Sequence, residues 1–152
     1  MFLYKSFIHN KLSPIFREKE EGFDRLDTYS SFSERVKATK RKLLTFLIEA
    51  KEAGKRIVAY GAPGKGNTLL NYCGIGTDFL DYAVDRSSFK QGKYTPGTHI
   101  PIFDPSRISD TRPDYVLILP WNLEHEIVQQ MAHIRRWGGK FVVPIPEVRV
   151  ID

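Results

Sequence analysis

A single cysteine, Cys73, leaves no intramolecular disulfide framework to consider. There is no Cys-x-x-Cys pair, and the four histidines, His9, His99, His125 and His133, do not stand in ligand spacing. His125 and His133 are eight residues apart on one predicted helix, too far for one ion, so no metal is expected. No Gly-x-Ser-x-Gly elbow is present and Cys73 has no evident base, so the catalytic residues stay unknown. No apolar run reaches the ~20 residues of a membrane span. Met1-Phe2-Leu3-Tyr4-Lys5-Ser6-Phe7 is too short and too interrupted for a signal peptide, so the protein is expected to be cytoplasmic. Neither charge sign dominates: 23 Lys and Arg against 18 Asp and Glu leave +5. That suits an anionic ligand, but without a basic stripe it does not call for nucleic acid.

What is present is a glycine-rich turn in an informative place. Ile57-Val58-Ala59 reads as a buried strand and Thr68-Leu69-Leu70-Asn71-Tyr72-Cys73 as a helix. Tyr60-Gly61-Ala62-Pro63-Gly64-Lys65-Gly66-Asn67 joins them. Glycines let the backbone approach a ligand, and a helix start offers unpaired N–H groups with partial positive charge. Lys65 adds a full charge. A phosphate or diphosphate is the expected ligand, and a tight turn with no ligand is the plain alternative. The stretch is not a P-loop, because Asn67 follows Gly66 and the lysine precedes it. Nor is it a complete dinucleotide fingerprint, because Leu69 stands at the third glycine position.

With 152 residues and 41% hydrophobic content, the chain can form one domain with a real core. Residues 1–30 show no period and read as an N-terminal extension or connector. Residues 31–152 alternate helical and strand patterns. Ser31-Phe32-Ser33-Glu34 has capping-box spacing and predicts a long helix from about Phe32 to Ala53, ended by Gly54. Strands are predicted at Arg56–Tyr60, Phe79–Val84, Ile100–Ile102, Tyr115–Leu119 and Lys140–Val143. One helical turn is predicted at Ser106–Asp110, and a helix from Leu123 to Trp137 with Asn122 as N-cap. The alternation predicts an α/β fold with a mainly parallel sheet behind a long N-terminal helix.

On such sheets ligands bind at the carboxyl ends of the strands. Three stretches are predicted to meet there: the glycine turn, the loop opened by Asp85-Arg86, and Pro120-Trp121-Asn122. Asp85 lies 19 residues after Gly66 and either bonds a ribose or pairs with Arg86 at the strand end. The loop from residue 86 to 98 is long and rich in donors, with Arg86, Lys90 and Lys93 able to face an anion. Its aromatics and prolines favour order. His99 is either a base or hydroxyl ligand near this end, or a loop histidine with a structural bond.

These motifs together carry a resemblance. It runs through Tyr60-Gly61-Ala62-Pro63-Gly64-Lys65-Gly66-Asn67-Thr68-Leu69-Leu70-Asn71-Tyr72, Asp85-Arg86, Lys90-Gln91-Gly92 and Pro96-Gly97-Thr98-His99-Ile100-Pro101-Ile102. It continues in Pro113-Asp114-Tyr115-Val116-Leu117-Ile118-Leu119-Pro120-Trp121-Asn122-Leu123 and Trp137-Gly138-Gly139-Lys140-Phe141-Val142-Val143-Pro144-Ile145-Pro146. The series resembles the C-terminal domain of nucleotide-sugar C-methyltransferases, which methylate a ring carbon of a nucleoside-diphosphate deoxysugar from S-adenosylmethionine (SAM). The resemblance implies a Rossmann-like three-layer sandwich that holds the nucleotide sugar but not the cofactor. SAM is expected on a separate domain or a partner subunit, and no cofactor in this chain.

The resemblance also assigns roles. Gly61, Ala62, Gly64, Lys65, Gly66, Asn67 and Thr68, with the 86–98 loop, become the nucleotide-diphosphate contacts. Lys65, Arg86, Lys90 and Lys93 supply charge. Asn67, Asp85, Thr98 and Asn122 orient, His99 stands beside them, and Trp121 or Tyr94 stacks on base or sugar. Two other readings stay open: a free-standing Rossmann-type binder of NAD or SAM, and a non-catalytic interaction subunit of a methyltransferase.

Overall fold

Six short runs of apolar residues pair into one sheet: Ile57–Tyr60 (β1), Ala83–Val84 (β2), Ile102–Phe103 (β3), Tyr115–Ile118 (β4), Lys140–Val143 (β5) and Arg149–Ile151 (β6). The computed structural model describes residues 18, 21–23 and 25–152. The strand order is β3-β2-β1-β4-β5-β6, parallel throughout except for the antiparallel β5–β6 pair. This is the order of a doubly wound, Rossmann-like sheet. The direction of winding changes between β1 and β4, where Tyr60 pairs with Ile118.

Side chains alternate across the central strands, and each set finds its own helical layer. Ile57, Ala59, Leu117 and Val142 pack with Leu43, Leu47 and Ala50 of α1 (Leu26–Glu52) and with Leu69, Leu70 and Cys73 of α2 (Gly64–Cys73). Val58, Tyr60, Val116, Ile118, Phe141 and Val143 pack with Ile108 of α3 (Arg107–Thr111) and Ile127 of α4 (Glu124–Gln130). Met131 and Ile134 complete that second core. Two cores on the two faces of one sheet make the three-layer sandwich that the resemblance implies, around the mainly parallel sheet expected from the alternating pattern. Burial raises the pKa of the Cys73 thiol, which lies in the first core as a small apolar residue.

The chain divides into two compact units, Met1–Ala38 and Thr39–Asp152. Most of the expected connector over residues 1–30, with His9, lies outside the described residues. The long helix starts at Leu26 rather than Phe32. The capping-box spacing at Ser31 therefore falls inside a helix, where Ser31 Oγ donates back to the Thr28 carbonyl at 2.8 Å. No glycine or proline stands between Gly22 and Gly54, so nothing stops the helix from extending upstream.

Three other elements differ from their expected bounds. The second strand is reduced to Ala83–Val84, because a turn at Gly76 carries Phe79 and Leu80, whose N–H groups both donate to the Gly76 carbonyl. The third strand, expected at Ile100–Ile102, lies at Ile102–Phe103. The helix predicted over Leu123–Trp137 is broken into a 3-10 turn at Trp121–Leu123, then α4, then a second 3-10 stretch at Ala132–Trp137. Asn122 lies in the first of these turns and does not cap α4. The edge strand β6 was not anticipated. Its three residues are half-exposed and show no clear alternation, so only pairing with β5 defines them.

Candidate functional site

The glycine stretch leaves β1 as a turn of three residues and enters α2 at Gly64. Gly61 has φ +82°, and a Cβ there would meet the Pro120 ring at 2.8 Å. Gly66 lies against Leu119, whose Cβ would stand 2.8 Å from an added one. The two glycines thus let the β1 turn and α2 press against the end of β4. Lys65, Gly66, Asn67 and Thr68 lie in the first turns of the helix rather than in a loop, with Pro63 as N-cap. Pro63 supplies no side-chain cap, and the N–H groups of Gly64, Lys65 and Gly66 have no acceptor among the described residues. This is the uncapped, positively polarised helix start that an anion needs. Thr68 Oγ1 donates to the Gly64 carbonyl at 3.1 Å and tightens the same turn.

Asp85 binds the turn to the following loop. Its Oδ2 accepts from the Ala62 N–H at 2.8 Å and from Lys90 Nζ at 2.9 Å, and its Oδ1 accepts from the Ser87 N–H at 2.9 Å. Lys90 Nζ also donates to the Ala62 carbonyl at 3.1 Å. Burial pushes the Asp85 carboxyl up, but the bonds from Lys90, Ser87 and Ala62 outweigh it and hold the pKa below the usual carboxylate value. Gln91 Nε2 extends the clamp to the Asp85 carbonyl at 2.9 Å and to Asp104 Oδ2 at 3.1 Å. Asn71 Nδ2 ties α2 to the far side of the loop through the Pro96 carbonyl at 2.9 Å. The loop from 86 to 98 is ordered by these bonds. Gln91 and Asn71 were not among the expected residues, since an isolated amide carries no sequence signal of its partner.

The structure brings some of the expected residues together and separates others. Lys65, Trp121 and Asn122 come together: Lys65 Nζ donates to Asn122 Oδ1 and lies 4.5 Å from the centre of the Trp121 ring. Arg86 turns the other way, 3.6 Å from Glu126 Oε1 and 3.4 Å from Gln130 Oε1. Lys93 Nζ stands 3.4 Å from the centre of the Phe89 ring. Thr98 is engaged within its own loop, its hydroxyl 2.6 Å from that of Thr95. His99 is exposed, with φ +54°, and lines neither of the clefts described next. Among the described residues no group of His, Cys, Asp and Glu is arranged to hold a metal ion.

Two clefts flank this centre. One, of about 220 Å³, opens at the switch point between β1 and β4, with Tyr60, Gly61, Arg86, Leu123, Glu126 and Gln130 in its wall. The other, of about 200 Å³, lies toward β3, between the start of α2 and the 86–98 loop. Asn67, Phe89, Lys90, Lys93, Tyr94 and Pro96 line it. Asn67 Oδ1 is buried there without a hydrogen-bond partner among the described residues.

Comparison with known proteins places this arrangement. The chain is 39% identical over 138 residues to the C-methyltransferase NovU of Streptomyces niveus, a match covering 89% of the chain. The chain spans about a third of that relative, 32% of its length. A solved structure, the UDP-D-quinovosamine 4-dehydrogenase of Vibrio fischeri, aligns over 64% of this chain and 93% of its own, at 19% identity and a TM-score of 0.46. Among the described residues no helix is long and apolar enough to cross a membrane. The sequence profile of the C-methyltransferase C-terminal domain matches residues 10–146, from before α1 to the turn after β5. A match over that span, together with the NovU likeness, shows that the chain belongs to the C-methyltransferase C-terminal domain family.

Proposed function

We propose that this chain is the nucleotide-sugar-binding part of a SAM-dependent sugar C-methyltransferase. It holds a nucleoside diphosphate sugar while a separate SAM-binding domain or partner subunit delivers the methyl group. The observation that carries this reading is the uncapped start of α2 at the carboxyl end of the sheet, with Lys65 on its first turn. Oriented N–H groups and an ammonium at one point suit a diphosphate. Lys65 rests on Asn122 and Trp121, both exchangeable partners, so it can turn to a phosphate without unfolding anything.

The same geometry weighs against an adenine cofactor in the switch-point cleft. A dinucleotide fold uses the acid at the end of β2 to hold a ribose. Here both oxygens of that acid, Asp85, are engaged by Ala62, Lys90 and Ser87. Leu69, buried in the first core, occupies the position of the third glycine. No general base is assigned to the chain. Its residues bind and orient, and the proton removal that precedes methyl transfer belongs to the part that carries the cofactor.

The test is calorimetric titration of the protein, in parallel, with a thymidine-diphosphate sugar, SAM and NAD. Binding of the sugar nucleotide, weakened about tenfold in Lys65→Ala, is the expected result. Binding of SAM or NAD without the sugar nucleotide would sink the reading and make this a cofactor domain.

A further inference from the structure

The cleft at the switch point holds a buried hydroxyl that the protein itself does not use. Tyr60, the last residue of β1, is 5% exposed and lines this cleft, and its hydroxyl makes no hydrogen bond among the described residues. Asn67 Oδ1 is the one unpaired side-chain atom among them that solvent does not reach, so the Tyr60 hydroxyl is open to the cleft. We propose that this cleft is a binding site for a neutral hydroxylated ring the size of one pyranose, with Tyr60 Oη, Arg86 and Glu126 as its hydrogen-bonding partners. The site lies on the β4 side of the α2 start and does not rest on the nucleotide reading.

The size of the cleft sets the size of the ligand. About 220 Å³ is below the roughly 300 Å³ at which sites for drug-sized molecules begin, so it takes one ring and not a dinucleotide. The charges set its charge: Glu126 in the wall repels an anion, and Arg86 and Lys90 repel a cation. The walls set its surface. Pro63, Pro120, Leu123 and Ile127 are apolar, whereas Tyr60, the one aromatic lining residue, is too buried to offer an open face. A flat base gains most by stacking on an aromatic face, which this cleft lacks. A saturated ring instead packs its C–H faces on proline and leucine.

The polar groups suit hydroxyls. Burial raises the Tyr60 pKa, Arg86 opposes the rise, and Asp85 and Glu126 add to it. The hydroxyl therefore stays protonated at neutral pH, able to donate one hydrogen bond and accept another. Glu126 Oε1 accepts from Gln130 Nε2 at 2.7 Å and lies 3.6 Å from Arg86 Nη1, while Oε2 has no bond among the described residues. Arg86 donates through Nη1 alone, to Gln130 Oε1 at 3.4 Å. The wall thus carries open donors on Arg86, an open acceptor on Glu126 and a group that does both on Tyr60. Neighbouring hydroxyls on a saturated ring, each a donor and an acceptor, match that set. Such a ring arrives either free or as the sugar end of a nucleotide; its chemistry is the same, and the experiment separates the sources.

The experiment is titration of the full chain with methyl glucopyranoside, inorganic phosphate, UDP and UDP-glucose, followed by the backbone amide NMR shifts of Gly61, Arg86, Leu123 and Gln130. Methyl glucopyranoside is expected to shift these amides with a Kd on the order of 1–10 mM, and inorganic phosphate to leave them unmoved. Tyr60→Phe is expected to weaken the glucoside about tenfold while its thermal midpoint stays level or rises, because the lost hydroxyl bonds nothing in the protein. A merely structural tyrosine would lower the midpoint and leave the affinity unchanged. Leu123→Trp, at a 46% exposed position on the rim, is expected to fill the cleft and abolish the shifts. If the ring arrives free, UDP-glucose binds no more tightly than UDP. If it arrives on a nucleotide, UDP-glucose binds about tenfold more tightly than UDP and loses that advantage in Tyr60→Phe. No glucoside shift at about 100 mM, with UDP-glucose no tighter than UDP, would overturn the site. So would phosphate moving the same amides, or an unchanged affinity in Tyr60→Phe. Glucoside binding with neither UDP nor UDP-glucose bound would keep this site and remove the nucleotide reading.

Discussion

Asp85 and Ala62 are joined by a buried hydrogen bond of 2.8 Å, from the backbone N–H of the glycine turn to the carboxylate at the end of β2. This bond ties the turn that precedes α2 to the loop that follows β2. Lys90 closes the joint by bonding both partners, the Asp85 carboxylate and the Ala62 carbonyl. The start of α2 is thus held from its side.

Stability should follow the ionisation of Asp85. Its folded pKa lies below the ordinary 3.8, because the bonds from Lys90, Ser87 and Ala62 exceed the cost of burial. A depressed carboxylate stabilises the fold fully above its unfolded pKa, and that contribution is lost as pH falls through the folded value. Thermal midpoints should therefore drop below about pH 4. Asp85→Asn should be less stable at pH 7 by about 1–3 kcal/mol and should show a shallower acid decline. A variant with the wild-type acid profile would remove Asp85 as the source.

Gly66 and Gly64, two residues apart, should respond oppositely to alanine. At Gly66 the added Cβ meets Leu119 at 2.8 Å, so Gly66→Ala should cost about 1–3 kcal/mol in urea unfolding. Nothing lies within 4 Å of a Cβ at Gly64, which has a normal helical backbone. Gly64→Ala should leave stability level or raise it by about 0.5 kcal/mol. Equal effects at both sites would mean that α2 does not press on β4 as described.

Ser31 separates a cap from a helix interior. Loss of an N-cap serine costs about 1 kcal/mol, whereas serine to alanine inside an exposed helix is neutral or favourable. With Ser31 Oγ bonded back to the Thr28 carbonyl, Ser31→Ala should not lower the thermal midpoint. A clear loss would restore the helix start near Phe32.

The two-sided core makes Phe141 a sensitive position. It is fully buried on the face shared with Ile108, Ile127 and Ile134. Phe141→Ala should cost about 3–5 kcal/mol in chemical denaturation, with no direct effect on the ligand groups at the strand ends.

Much of this architecture was legible in the sequence. Continuous apolar runs such as Tyr115–Leu119 announce a strand covered on both faces, and the alternation with helical patterns implies a parallel sheet. Gly61 and Gly66 mark a close approach of the β1 turn and α2 to a neighbour, and the motif series from Tyr60 to Pro146 carries the family. These signals are local: each depends on a short run of residues and on what that run must bury or bend.

What only the tertiary structure decided concerns partners distant in the chain. The 3.6-residue period ran unbroken from Leu123 to Trp137, yet packing over the sheet splits that segment in three. Asn122 has the composition of a cap and meets Lys65 instead. Asp85 has the spacing of a ribose ligand and is held by Ala62, 23 residues away. Asn67 looks like any helix amide until the fold closes over its oxygen without supplying a donor. Periodicity encodes which face of an element is buried, but the neighbour a polar group meets there is set by how the layers stack. The sequence by itself therefore determined the fold class and the family, while the packing of α2 against the end of β4, and of the 86–98 loop beside β3, decided which partner each polar group at that end of the sheet meets.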